Sequence, residues 1–357
     1  MKAVVSMLIV LVFGSALAQP VPPQLPKRFP WDHRPNKCFL PTGDGLPHGP
    51  MCAEPARWPN YAETKHHLDM LLAEQDYDLI EQGEREVGFS RERFDSGEYL
   101  FDAWFASLDT FSDAWGERAK AVAEGWAKAK GREGYAPLAQ GLVLYHEAWK
   151  ARGRGYASTV TPEAWAIFYR KLDEADAMLD TASPKVKGMG PWYLAKLRIA
   201  FVRQDKRPTV PGLLERATAA WPEYLPLYSV AMTFASPRWG GSFEEMDGVA
   251  RYALERTKGT RGAAMYAMTY ERYFRGAGDG QATLKDSAVD WALMKQGFRD
   301  LEKDGKAPEW IPRNFAALAC QMRDRDEARR LYELYERRKT AGPAEPDNPC
   351  RAFAMSL

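Results

Sequence analysis

Asn314-Phe-Ala-Ala-Leu-Ala-Cys320, with Asp326-Glu-Ala-Arg-Arg-Leu-Tyr-Glu-Leu-Tyr335 a few residues on, is the stretch whose reading decides the fold. Apolar residues recur at helical spacing in both strings, which predicts helices near 313–322 and 325–339. Ala316 and Ala328 stand twelve residues apart. Small side chains at that interval let two antiparallel helices approach closely and form a hairpin. A lone hairpin leaves one apolar face open, and only neighbouring hairpins can bury it.

Upstream the same pattern repeats. Leu68, Leu71, Leu72, Leu79 and Ile80 predict one helix over 61–86. Further helices are predicted near 98–109, 113–130 and 137–152. Thr161-Pro162 reads as a helix start, with Thr capping and Pro where its missing N–H costs nothing. Helices are then expected near 191–204, 211–221, 224–235, 243–258, 262–275 and 284–304. No sustained alternation of β-branched residues and no Asn-Gly hairpin turn occurs. The expected fold class is all-α. Gly276 to Gly280 is Gly-rich, but no strand precedes it, so it reads as a connection between helices.

Both ends differ from this body. Residues 1–18 have a positive start (Lys2), an apolar run from Ala3 to Phe13 and small residues Ala16-Leu17-Ala18, the three parts of a signal peptide. Residues 19–59 form a Pro-rich leader with eleven prolines, which forbid helix through most of it. It reads as an extended arm lying over a helical domain at 60–340, with Trp31, Phe39 and Trp58 as possible anchors. Residues 341–357 are a C-terminal tail.

Localisation is expected to be periplasmic or secreted. In such an oxidising compartment the four cysteines favour disulfides. Nearness in sequence selects Cys38–Cys52 and Cys320–Cys350, the latter tying the tail back. Closing a loop of about 15 residues is worth roughly 3 kcal/mol in the chain-entropy model. A metal site would need paired C-x-x-C spacing, which is missing.

Removing residues 1–18 takes away only Lys2, so Lys+Arg falls from 49 to 48 against 48 Asp+Glu. A neutral chain argues against a nucleic-acid partner, which needs a basic face. Past the leader no segment is apolar enough to span a membrane.

The alanine-bearing hairpin at 314–335 resembles a tetratricopeptide repeat, and Glu215-Arg-Ala-Thr-Ala-Ala-Trp-Pro-Glu-Tyr224 resembles a junction between two such repeats. Elsewhere the period wanders. The expected architecture is therefore a degenerate tetratricopeptide-like stack of helix hairpins, an α-solenoid. Glu147-Ala-Trp-Lys-Ala-Arg-Gly-Arg-Gly155, Trp221-Pro-Glu-Tyr224, Pro237-Arg-Trp-Gly-Gly-Ser242 and the 314–329 strings, in that order, resemble an uncharacterised bacterial family, domain of unknown function four-zero-three-four. The resemblance covers about Tyr61 to Arg338, and it implies helices but no activity.

Two loops carry the candidate ligand-binding residues. In Pro237–Ser242, Gly240 and Gly241 would let a ligand reach the backbone, Arg238 would grip an anion and Trp239 would stack on it. The competing structural reading is the stronger: Ser242 and Glu245 form a capping box, and the glycines shape the helix entry. Arg152 and Arg154 could hold a carboxylate or phosphate at a helix end. They also complement a helix C-terminus directly, with Gly153 and Gly155 as stop signals.

The five histidines (His33, His48, His66, His67, His146) form no chelating pattern, since adjacent His66 and His67 point about a hundred degrees apart on a helix. G-x-S-x-G, G-x-x-x-x-G-K-[ST] and a strand-borne G-x-G-x-x-G are absent. No catalytic residue, metal site or cofactor is assigned. Twelve Trp and sixteen Tyr either fill an irregular stack or line a groove. Trp192, Trp221, Trp239, Trp291 and Trp310 span successive hairpins, and core packing is the commoner use. The leading expectation is a protein- or peptide-binding module without catalysis. The alternatives are a cell-envelope enzyme acting on a glycan or peptide through cleft carboxylates, and a structural role in envelope assembly.

Overall fold

A computed structural model describes residues 61–94, 97–132, 134–203, 205–276, 283–303, 310–338 and 349–355. The expected signal peptide, the Pro-rich arm, the Cys38–Cys52 pairing and the connection after Gly276 lie outside the described residues. Sixteen α-helices are present among those described. They are α1 (Tyr61–Glu74), α2 (Tyr77–Val87), α3 (Leu100–Ala114), α4 (Glu117–Lys130), α5 (Ala136–Arg152), α6 (Pro162–Asp180), α7 (Pro184–Lys187) and α8 (Gly190–Val202). Then follow α9 (Val210–Ala220), α10 (Leu225–Ala235), α11 (Phe243–Arg256), α12 (Ala263–Gly276), α13 (Trp291–Lys303), α14 (Trp310–Gln321), α15 (Arg325–Arg338) and α16 (Pro349–Met355). No strand occurs among the described residues; an isolated bridge pairs Arg93 with Tyr99.

The helices stack in two layers. α1, α3, α5, α8, α10, α12 and α14 each pack on the next along the first layer. α4, α6, α9, α11, α13 and α15 pack against them as hairpin partners, the closest being α5 with α6, α12 with α13 and α14 with α15. The chain is thus an all-α stack of helix hairpins.

Small residues set the close crossings. Ala316 and Ala328 are fully buried where α14 meets α15. A side chain at Gly297 on α13 would collide with the Ala263 carbonyl of α12, and one at Gly141 on α5 would overlap Leu179 of α6. Burial is near continuous along the array, from Leu68 through Trp126, Phe168 and Trp221 to Tyr228, and on through Tyr266, Phe298 and Phe315 to Ala354.

The expected 61–86 helix is two. Gln75 takes a left-handed φ of 57°, and Asp76 starts α2 afresh, its side chain accepting the Leu79 N–H at 3.2 Å. Residues 284–304 are not one helix either. A short 3-10 turn at Leu284–Asp286, opened by a Thr283–Asp286 capping box, ends at extended Ser287, and α13 begins only at Trp291. Thr161 caps α6 as expected, accepting the Ala164 N–H at 3.2 Å. Cys320 and Cys350 are bonded, with Cα atoms 5.7 Å apart. The bond fixes α16, a helix the tail's sequence did not announce, against α14 and α15.

Candidate functional site

α3 is a largely apolar helix with Asp102, Asp109 and Asp113 along one side. Leu100, Phe101, Trp104, Phe105, Leu108 and Phe111 are buried, while Asp102 and Asp109 stand seven residues apart and half-buried. Seven residues are two helical turns, about 10 Å along the axis. Both carboxyls lie among side chains from the first layer: Tyr61 of α1, His146 of α5, Arg198 of α8, Tyr224 at the entry to α10 and Arg272 of α12. Arg272 acts electrostatically on both Tyr61 and Asp102. The segment between α2 and α3 reaches the same neighbourhood, with Arg93 pairing to Glu223 at 2.9 Å and Arg261 pairing to Glu223 at 3.2 Å.

The two carboxyls have different fates. Asp109 Oδ1 accepts from Arg198 Nη1 at 2.8 Å and lies 2.9 Å from His146 Nε2. His146 Nδ1 is 3.5 Å from Asp113. Burial pushes the Asp109 carboxyl up, but the Arg198 guanidinium and His146 outweigh it and hold it well below the usual range. Arg198 itself packs over the Phe105 and Tyr145 rings. No cation among the described residues is hydrogen-bonded to Asp102. Its side chain accepts the Tyr224 hydroxyl at 3.0 Å, and burial pushes its carboxyl up to about 6 against the relief from Tyr224 and Arg272. Nearby Glu98 keeps one carboxylate oxygen buried with no hydrogen-bond partner.

Sequence reasoning singled out other residues, and they sit elsewhere. Pro237–Trp239 is a 3-10 turn. Gly240 takes a left-handed φ of 85°, and a side chain at Gly241 would collide with the Ala235 carbonyl. Ser242 accepts the Glu245 N–H at 3.1 Å to start α11. Both glycines therefore answer to backbone geometry. Trp239 packs on Phe234 and, edge-on, on Trp149, with centroids 4.6 and 6.0 Å apart.

That second contact joins the two predicted loops. Arg152 lies over Trp149 and Trp165, donating to the carbonyls of Gly153 and Gly155 at 3.0 and 3.1 Å. It closes the end of α5, while Arg154 is exposed. Other tryptophans also bond helix ends. Trp192 donates to the Leu179 carbonyl at 3.0 Å, and Trp221 donates to the Gly188 carbonyl at 2.9 Å.

Asp102, Asp109, Arg198, Tyr224, Glu98 and Arg272 were missed. One signal was present: Asp102 and Asp109 interrupt a nearly all-apolar helix, and Arg198 interrupts Leu194–Val202. Charges on otherwise apolar helices are rarely buried without partners. Their coming together was illegible, because it depends on which helices stack in the first layer.

Fold and face together define an all-α hairpin stack whose first layer gathers charged and phenolic groups. Comparison of the chain with protein-family models, with curated proteins and with solved structures finds no match.

Proposed function

We propose that the chain is an exported peptide-binding module that holds an extended protein segment along the face of its first layer. The observation behind this reading is the convergence of Tyr61, Glu98, Asp102, Tyr224 and Arg272 from helices far apart in sequence. Stacked hairpins supply such a face by repetition, and extended ligands suit it. Panning a display library of random peptides on the purified full chain tests it. Enriched peptides should bind the wild type and an Arg170→Glu variant, altered on the exposed side of α6, but lose affinity for Arg272→Glu. Equal binding to all three would remove the face from consideration.

A second reading is an envelope enzyme acting on a glycan. It is favoured by the opposite shifts of Asp102 and Asp109, since environments that push two carboxyls apart suit an acid and its ionised companion. Reducing-sugar release from cell-wall glycan that disappears in Asp102→Asn would support it. No release by the wild-type chain would end it.

A further inference from the structure

We propose that Arg91, Arg93 and Arg261 form a surface site for a phosphoryl dianion, carried as inorganic phosphate or as a phosphate monoester. The site is independent of the peptide-binding reading.

Three segments of chain meet there. The first joins α2 to α3 and folds back on itself, with the Phe94 N–H donating to the Glu98 carbonyl at 2.9 Å and Arg93 bridged to Tyr99. Side chains alternate along such a pairing, so Arg91, Arg93 and Tyr99 leave on one face. Arg91 lies 3.8 Å above the Trp221 ring, and Arg93 lies 3.8 Å above the Tyr99 ring. Those two rings meet edge to face with centroids 5.6 Å apart. Trp221 belongs to the second segment, the α9–α10 junction, which also supplies Glu223. Arg261 comes from the third, the connection between α11 and α12. Arg93 Nη2 and Arg261 Nε stand 2.9 and 3.2 Å from the same Glu223 oxygen, which places the two guanidiniums side by side. Arg93 Nη1 donates to the Gly97 carbonyl at 2.8 Å.

Among the described residues, these three guanidiniums gather round one carboxylate, Glu223. Phe94 leaves the paired segment on the other face, against Tyr61 at 5.6 Å, and the same alternation sends Glu92 and Glu98 that way. Lys258 and Glu255 pair with each other at 3.4 Å, and Arg256 lies over Tyr252. Asp95 and Ser96 of the turn lie outside the described residues. Arg93 is held below its ordinary value, by burial first and, among its neighbours, by the like charges of Arg261 and Arg91. Arg91 is exposed, and the Arg93 and Arg261 side chains are 22% and 23% exposed, so an ion in solution can reach all three.

A guanidinium stacked on a ring uses its flat face and keeps its in-plane N–H groups for acceptors. A planar carboxylate such as Glu223 offers two oxygens and a single charge. A tetrahedral phosphoryl dianion offers three oxygens and twice the charge, which suits three converging forks better.

The test is titration calorimetry of the purified full chain with inorganic phosphate, at fixed ionic strength and about pH 8, where the ion is a dianion. Saturable binding below about 10 mM is expected. Arg91→Gln and Arg261→Gln should each weaken it about tenfold or more, while Arg170→Glu on α6 leaves it unchanged. Glu223→Gln should tighten it, because the carboxylate competing for Arg93 and Arg261 is gone. Thermal melts identify any misfolded variant, and exposed Arg91 can be replaced without opening the interior. Competition by glycerol phosphate would extend the ligand to esters, and its failure would restrict the site to the free ion. Absence of saturation, acetate binding as well as phosphate, Arg91→Gln binding like wild type, or weaker binding by a folded Glu223→Gln overturns the proposal.

Discussion

The two ends of α3 carry the same side chain into opposite surroundings. At Asp109 a guanidinium and an imidazole complete a closed charge network, with Arg198 over the Phe105 and Tyr145 rings. At Asp102 the hydrogen-bond donor to the carboxyl among the described residues is a phenol, and nearby Glu98 keeps one carboxylate oxygen without a partner. The lesson is a division of labour. The closed network holds α3, α5 and α8 in register, so it belongs to the scaffold. The open one leaves a carboxyl whose charged form burial disfavours.

The comparison breaks most visibly at the closed end. Arg198→Met leaves Asp109 half-buried without its main counter-charge, and urea unfolding at pH 7 should read a loss of about 3–5 kcal/mol. Adding Asp109→Asn to that variant should recover a large part of the loss, because no uncompensated charge then remains. Recovery of nothing would mean Arg198 matters for packing alone.

The open end should respond with the opposite sign. The Asp102 carboxyl sits at about 6 when folded against 3.8 for a free group. Between those values the folded chain binds more protons than the unfolded one, so this group's contribution to stability falls as pH rises through the window. Asp102→Asn keeps an acceptor for Tyr224 and removes the titration. It should stabilise the protein by roughly 1–3 kcal/mol at pH 7.5 and by little below pH 4. At the closed end the folded value is depressed. Asp109 therefore contributes stability above the unfolded value, and that contribution fades as pH drops further, so Asp109→Asn should flatten the acid limb of the curve. Parallel pH profiles for the two Asn variants would erase the distinction. The smallest effect is expected outside both networks. Arg238→Ala, in the 237–242 loop, should change stability by less than about 0.5 kcal/mol and leave peptide affinity unchanged.

Much of the fold was legible because hairpins are local. Ala316 and Ala328 marked a crossing, Thr161 marked a cap, and helix spacing located most elements. The break at Gln75 escaped because Leu79 and Ile80 continue the apolar rhythm across it, and only a left-handed residue reveals the interruption. Gly240 and Gly241 drew attention as a ligand loop because glycine is conspicuous in sequence, whether it serves a ligand or a turn. The face around Asp102 stayed hidden for a different reason. Its members come from residues 61 to 272, and no spacing rule connects them; the stacking of the first-layer helices does.

The bonded tail has a consequence of its own. A linear array of like units has two raw flanks, and whatever closes one of them stops growth in that direction. α16 does so at the far end, burying Ala354 and holding Arg329 Nε to its carbonyl at 3.0 Å. We therefore expect a reductant to do more than loosen a terminus: with Cys320 and Cys350 parted, the uncovered side of the last hairpin becomes a docking edge for a second molecule. Light scattering that rises with protein concentration only after reduction would reveal such head-to-tail polymers, and unchanged scattering would show that α16 stays seated without its covalent tie.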